Sequence, residues 1–101
     1  MKLDLLPEAL DELAESIAYY EAQVPGLGAR FFNAIADTIE LAAENSRLGA
    51  AMLPPAEAVR KFVVPRFPFV VIVSEVDGVT KVIGVTHPRR RPGHWLDRLD
   101  P

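Results

Sequence analysis

The chain contains no cysteine, a single tryptophan and only two histidines among its 101 residues. Without cysteine there is no disulfide and no thiolate metal ligand, a composition that suits a reducing cytoplasm. Two histidines are too few for a structural zinc site, so neither a metal nor another cofactor is expected. No apolar run approaches the ~18–20 residues needed to cross a bilayer. The start, MKLDLLPEAL, carries acids inside its apolar stretch and does not read as a signal peptide. Glycine-rich phosphate loops, nucleophile elbows and paired-carboxylate motifs are also missing. These absences predict one soluble domain spanning residues 1–101, with no membrane contact.

What is present is unevenly spread. Residues 1–50 hold three Lys/Arg against nine acids, a net of −6, whereas residues 51–101 hold eight against five, a net of +3. Such asymmetry fits either two faces meeting different partners or an acidic helix surface beside a basic sheet. The positive charge is densest in THPRRRPGHWLDRL, Thr86 to Leu99, which gathers Arg89, Arg90, Arg91, both histidines and Trp95.

The periodicity orders the elements. Lys2–Leu6 is a short strand, and Pro7 suits the first turn of a helix, with Glu8, Asp11 and Glu12 complementing its dipole. Leu10, Leu13, Ile17 and Tyr20 form one apolar stripe before the stop at Val24–Gly28. A second helix is predicted over residues 29–45, burying Phe32, Ile35, Ile39 and Ala42 with Phe31 beside them. Residues 46–57 read as a loop. Val59–Val64, Phe69–Val76 and Val79–Val85 are strands, separated by Pro65-Arg66-Phe67-Pro68 and by Asp77-Gly78, a strong tight-turn signal. The order β-α-α-β-β-β predicts an α+β domain: an antiparallel helical hairpin on one face of a small antiparallel sheet. The other face stays open, and a short helix or turn lies near residues 92–96.

Arg60, Lys61 and Arg66 in or after one strand, and Arg89, Arg90 and Arg91 after another, can converge on an anionic target. Trp95 either pins the chain to the core or contacts a partner. His87 reads as a hydrogen-bonded residue at the sheet edge. His94, after Gly93, is expected to be exposed, where it suits acid–base chemistry on a 2′-hydroxyl. Asp11, Glu12 and Glu15 are expected on a solvated helix face.

The run VRKFVVPRFPFVVIVSEVDGVTKVIGVTHPRRRPGHWLDR, Val59 to Arg98, resembles the C-terminal half of the RelE/ParE toxin superfamily, best its ParE-like, plasmid-stabilisation-type members. Ala18-Tyr19-Tyr20 and the Gly28–Ile35 segment extend the resemblance to nearly the whole chain. Its most specific pieces are Val59-Arg60, Arg66-Phe67-Pro68 and His87 to Trp95. The resemblance implies a toxin of a type II toxin–antitoxin module. A small ParD-like antitoxin would hold it inactive by covering Leu10, Leu13, Ile17, Tyr20 and Phe31, and would alone contact operator DNA. A ParE-like member would poison DNA gyrase by binding through Arg60, Lys61, Arg66, Arg89, Arg90, Arg91, His94 and Trp95. A RelE-like member would instead cut mRNA on the ribosome, with His94, Arg60, Lys61, Arg66 and Arg89 as the catalytic set. A non-toxic binding module is the third reading. His94 and Phe69 stand where related toxins carry tyrosine, which keeps the ribonuclease alternative open. The RRRPGHW segment favours ParE.

Overall fold

A computed structural model describes residues 2–51, 59–89 and 93–99. Strand β1 (Lys2–Leu5) leads into α1 (Pro7–Gln23), with Pro7 in its first turn. Glycine 26 at φ 89° then reverses the chain into α2 (Leu27–Glu44). The Glu21 carboxylate reaches across this turn and accepts from the N–H groups of Gly26 and Gly28 at 3.0–3.1 Å. It thereby satisfies two donors at the start of α2, which has no side-chain cap of its own.

A 3-10 turn (Ser46–Leu48) follows, then β2 (Ala50–Ala51), β3 (Val59–Val63), β4 (Val70–Val76) and β5 (Val79–Thr86). The sheet runs β1-β5-β4-β3-β2. Asp77 and Gly78 both take positive φ, 52° and 77°, as a tight hairpin turn between β4 and β5 requires. The α+β layering is as the sequence predicts, but the sheet is mixed. Strand β1 pairs parallel to β5, Leu3 opposite Thr80 and Leu5 opposite Val82. Two-residue β2 is an additional strand, too short for any alternation to reveal it.

Cross-strand partners share a face, and the two faces build two cores. On one, Val71, Val73, Val82, Val85, Phe62 and Val64 pack under Ala9, Leu13, Phe31, Ile35, Ile39 and Ala42 of the helices. On the other, Val59, Val70, Ile72 and Ile83 pack with Trp95, flanked by Leu6 and Leu99. A bulge makes this division possible. Ile72 pairs with Gly84 and Val73 with Val82, so Ile83 is the extra residue of β5. Val82 and Val85, three positions apart, then both face the helices, while Ile83 joins the second core.

The helix stripes differ from expectation by one position each. Phe31 is fully buried and Phe32 is 46% exposed; Ala9 and Leu13 are buried and Leu10 is 49% exposed. In α2 the buried row Phe31, Ile35, Thr38, Ile39 and Ala42 follows the helical period. Phe32 stands about 100° around the helix from it. The second sheet face is also less open than expected, because the 93–99 segment, with a 3-10 turn at Leu96–Arg98, lies against it through Trp95 and Leu99.

Candidate functional site

The expected cationic cluster is divided by the pleat. Arg60 and Lys61 are successive strand residues and project to opposite faces. Arg60 lies on the helix side and donates from Nη1 to the Gly49 carbonyl at 3.2 Å. Lys61 lies on the second face, beside exposed Val63. Arg66 sits in the β3–β4 turn and Arg89 follows β5, whose last residue, Thr86, pairs with Val70 at the start of β4. Those two arginines therefore share one end of the sheet. Arg90 and Arg91 lie outside the described residues.

Arg66 occupies a left-handed backbone conformation, φ 71°. For a residue with a side chain this costs about 1 kcal/mol, which glycine would avoid. The turn is closed by Val64 N–H donating to the Phe69 carbonyl at 3.0 Å and Phe69 N–H to the Phe67 carbonyl at 2.8 Å. An aromatic cluster holds it: Phe31 stacks edge-on against Phe67 and Phe69 at centroid distances of 5.1 and 4.9 Å, and Tyr20 adds Phe67 at 5.2 Å. Burial, with Tyr19 beside it, raises the Tyr20 phenol above its ordinary pKa. Ile17 and Tyr20 are only half-buried, and Leu13 and Phe31 are interior residues. Among the five residues expected to bind an antitoxin, Leu10 is the exposed one.

The two remaining residues of the expected target surface are also inward. Trp95 is 5% exposed and belongs to the second core. His94, expected in solvent, has a side chain 9% exposed, with Nε2 3.3 Å from Oε2 of Glu12. His87 Nδ1 accepts the Arg89 N–H at 3.0 Å and its ring stacks on Phe69 at 5.7 Å, at the sheet end.

Glu12 is the largest departure from the expected solvated helix face. It is 8% exposed and points from α1 to the outer edge of β5, just beyond the end of β1. Its Oε1 accepts from the Val85 N–H at 3.1 Å, and its two oxygens accept from Arg98 Nη1 at 2.8 Å and Nη2 at 3.1 Å. Arg98 Nη1 also donates to the Ile83 carbonyl at 3.1 Å. The ion pair thus acts as a substitute for the next two residues of β1. Gly84 leaves the room: a Cβ there would come within 3.3 Å of both Arg98 Nη1 and Glu12 Oε1. Burial alone would raise the Glu12 carboxyl, but Arg98, the Val85 N–H and His94 together hold it below the ordinary carboxylate range. Glu12 in turn raises Arg98.

A carboxylate whose pKa is depressed by folding stabilises the fold above its unfolded value, about 4.3, and that stability is lost as pH falls through the depressed value. Thermal unfolding followed by circular dichroism should therefore show the midpoint falling on acidification below about pH 4.5. Glu12→Gln should flatten part of that decline. An unchanged acid limb in the variant would contradict the assignment.

Recesses open at the surface among the described residues. One of about 630 Å³ lies between α2 and the β3–β4 turn and includes Arg30, Asn33, Asp37, Arg66 and Phe67. A second, of about 410 Å³, is bounded by Glu15, Tyr19, Tyr20, Phe69 and His87. A third, of about 440 Å³, is apolar and includes Leu3, Leu10, Phe32, Ile35 and Ile39 between β1 and both helices. Arg30 and Asn33 were not singled out in the sequence, although their i, i+3 spacing on α2 puts them on one face.

The model of the ParE toxin of type II toxin–antitoxin systems (parDE) matches residues 3–92. The chain belongs to the ParE toxin family. Among solved structures, a chain titled "Chromosomal ParDE TA system from P. aeruginosa" superposes with a TM-score of 0.74. The superposition covers 86% of this chain and 95% of the other at 16% identity, which establishes a shared fold. No curated protein matches the chain in sequence. Membership of the ParE family supports a toxin role and explains the element order. Among the described residues, no helix is long and apolar enough to cross a membrane.

Proposed function

We propose that this ParE-family chain arrests growth by binding DNA gyrase, with no chemistry of its own, and that a ParD-like antitoxin neutralises it in the cytoplasm. The observation that carries the reading is the family match over residues 3–92. The site geometry supports a binder over a ribonuclease. His94, the residue suited to proton transfer, is tied to Glu12 and nearly buried, and Arg60 and Lys61 serve opposite faces. Arg66 and Arg89, which share one end of the sheet, are described residues that can meet the target together.

For the antitoxin, the apolar recess beside β1 keeps Leu10 and Leu13 of the expected α1 stripe and adds Leu3 and Phe32. Leu3, Leu10 and Phe32 are each nearly half exposed there. An amphipathic segment that folds on binding would cover them. Purified chain added to a gyrase supercoiling reaction should inhibit it and trap cleaved DNA, and the cognate antitoxin should relieve both effects. Supercoiling that proceeds undisturbed at excess toxin would defeat the reading.

A further inference from the structure

The recess between α2 and the β3–β4 turn includes Arg30 and Asn33, two residues that the toxin reading does not use. Arg30 and Asn33 approach it from α2, and Arg66 from the turn. Neither arginine side chain makes a hydrogen bond or ion pair among the described residues. Arg66 also holds a left-handed backbone that glycine would adopt without strain. Among the described residues nothing rewards a long cationic side chain at that position, which points to a ligand.

We propose that this cleft is a carboxylate-binding site that takes an acidic segment of a partner protein. Guanidinium groups from two separate elements, with Asn33 also lining the recess, suit a carboxylate's two oxygens. The aromatic cluster around Phe67 holds the turn, so the backbone from which Arg66 projects is set before binding. The floor supplied by Leu27, Pro65 and Phe67 suits the methylenes of a glutamate side chain.

The charge pattern selects a peptide over a nucleic acid. Along α2 the recess passes from Arg30 through Asn33 to Asp37, so its far end is acidic. A phosphate backbone, charged at every step, would be repelled at that end, whereas a peptide can place one acid at Arg30 and Arg66 and a neutral or basic residue at Asp37.

The proposal does not depend on gyrase or on the antitoxin, and neither enters its test. The folded chain is titrated with capped Glu-Gly-Gly-Lys, capped tetralysine and oligothymidylate while backbone amide shifts are recorded. The glutamate peptide should move amides of residues 27–37 and 64–67 saturably, and tetralysine should not. Arg30→Gln and Arg66→Gly should each weaken the glutamate-peptide response by about tenfold. Arg66→Gly should melt no lower than the parent, because glycine accepts the turn conformation, which separates loss of binding from loss of fold. Shifts centred elsewhere, an unchanged response in both variants, or tighter binding of oligothymidylate in the cleft would each overturn it.

Discussion

Glu12→Ala should destabilise the protein by about 3 kcal/mol, lowering the thermal midpoint by roughly 15 °C for a domain of this size. The loss is larger than the removal of one surface ion pair, which is worth at most about 1 kcal/mol. Here the guanidinium of Arg98 is 12% exposed and the Glu12 side chain 9%, so the variant leaves a cation nearly out of water without its partner. The Val85 N–H and His94 lose their acceptor at the same time. Glu12→Gln keeps an acceptor oxygen and should lose less. Replacing both members, Glu12→Leu with Arg98→Met, should recover part of the loss, since an apolar pair strands no charge. Denaturant unfolding of the four proteins checks the order. A Glu12→Ala variant melting within about 2 °C of the parent would show that the network contributes nothing measurable.

Trp95→Ala is the second large effect, about 3–4 kcal/mol, from lost transfer energy and the cavity left behind. The second core is small, with Val59, Val70, Ile72 and Ile83 packed against this one ring. Without it the sheet face loses its main cover, and residues 94 and 98 lose the neighbour that aligns them with Glu12. Trp95→Phe should retain most of the packing. Because this is the only tryptophan, its emission reports the site directly. It should be blue-shifted in the folded protein and move to the red in step with loss of far-ultraviolet signal. A Trp95→Ala protein with parental stability but impaired partner binding would return the residue to the surface role expected from sequence.

The features readable in the sequence were those whose causes are local. Pro7 opens α1, Asp77-Gly78 makes its hairpin, and the valine-rich runs form β3, β4 and β5 within a residue of expectation. Phase errors arose where neighbours were chemically alike. Phe31 and Phe32 are both aromatic, and periodicity alone does not say which one faces the sheet. The separation of Arg60 from Lys61 was legible, since alternation in a strand sends adjacent side chains to opposite faces. Glu12 was not. Its burial depends on Arg98, 86 positions later, and on a β5 edge exposed only because β1 stops at Leu5. The strain at Arg66 was equally hidden, because no glycine or asparagine marks the left-handed position. The parallel direction of β1 depends on which sheet edge it joins, which the intervening segments do not state.

That parallel strand also bears on how the chain reaches its final form. The helical hairpin and the β3–β4–β5 meander each join segments that are close along the chain. Pairing Leu5 with Val82 instead requires closing a loop across 77 positions, which slows folding far more than it costs stability. The two local units are therefore expected to assemble early, with β1 docking after the meander offers its edge and the Glu12–Arg98 latch closing after that. Breaking the latch should chiefly accelerate unfolding and leave the folding rate nearly unchanged.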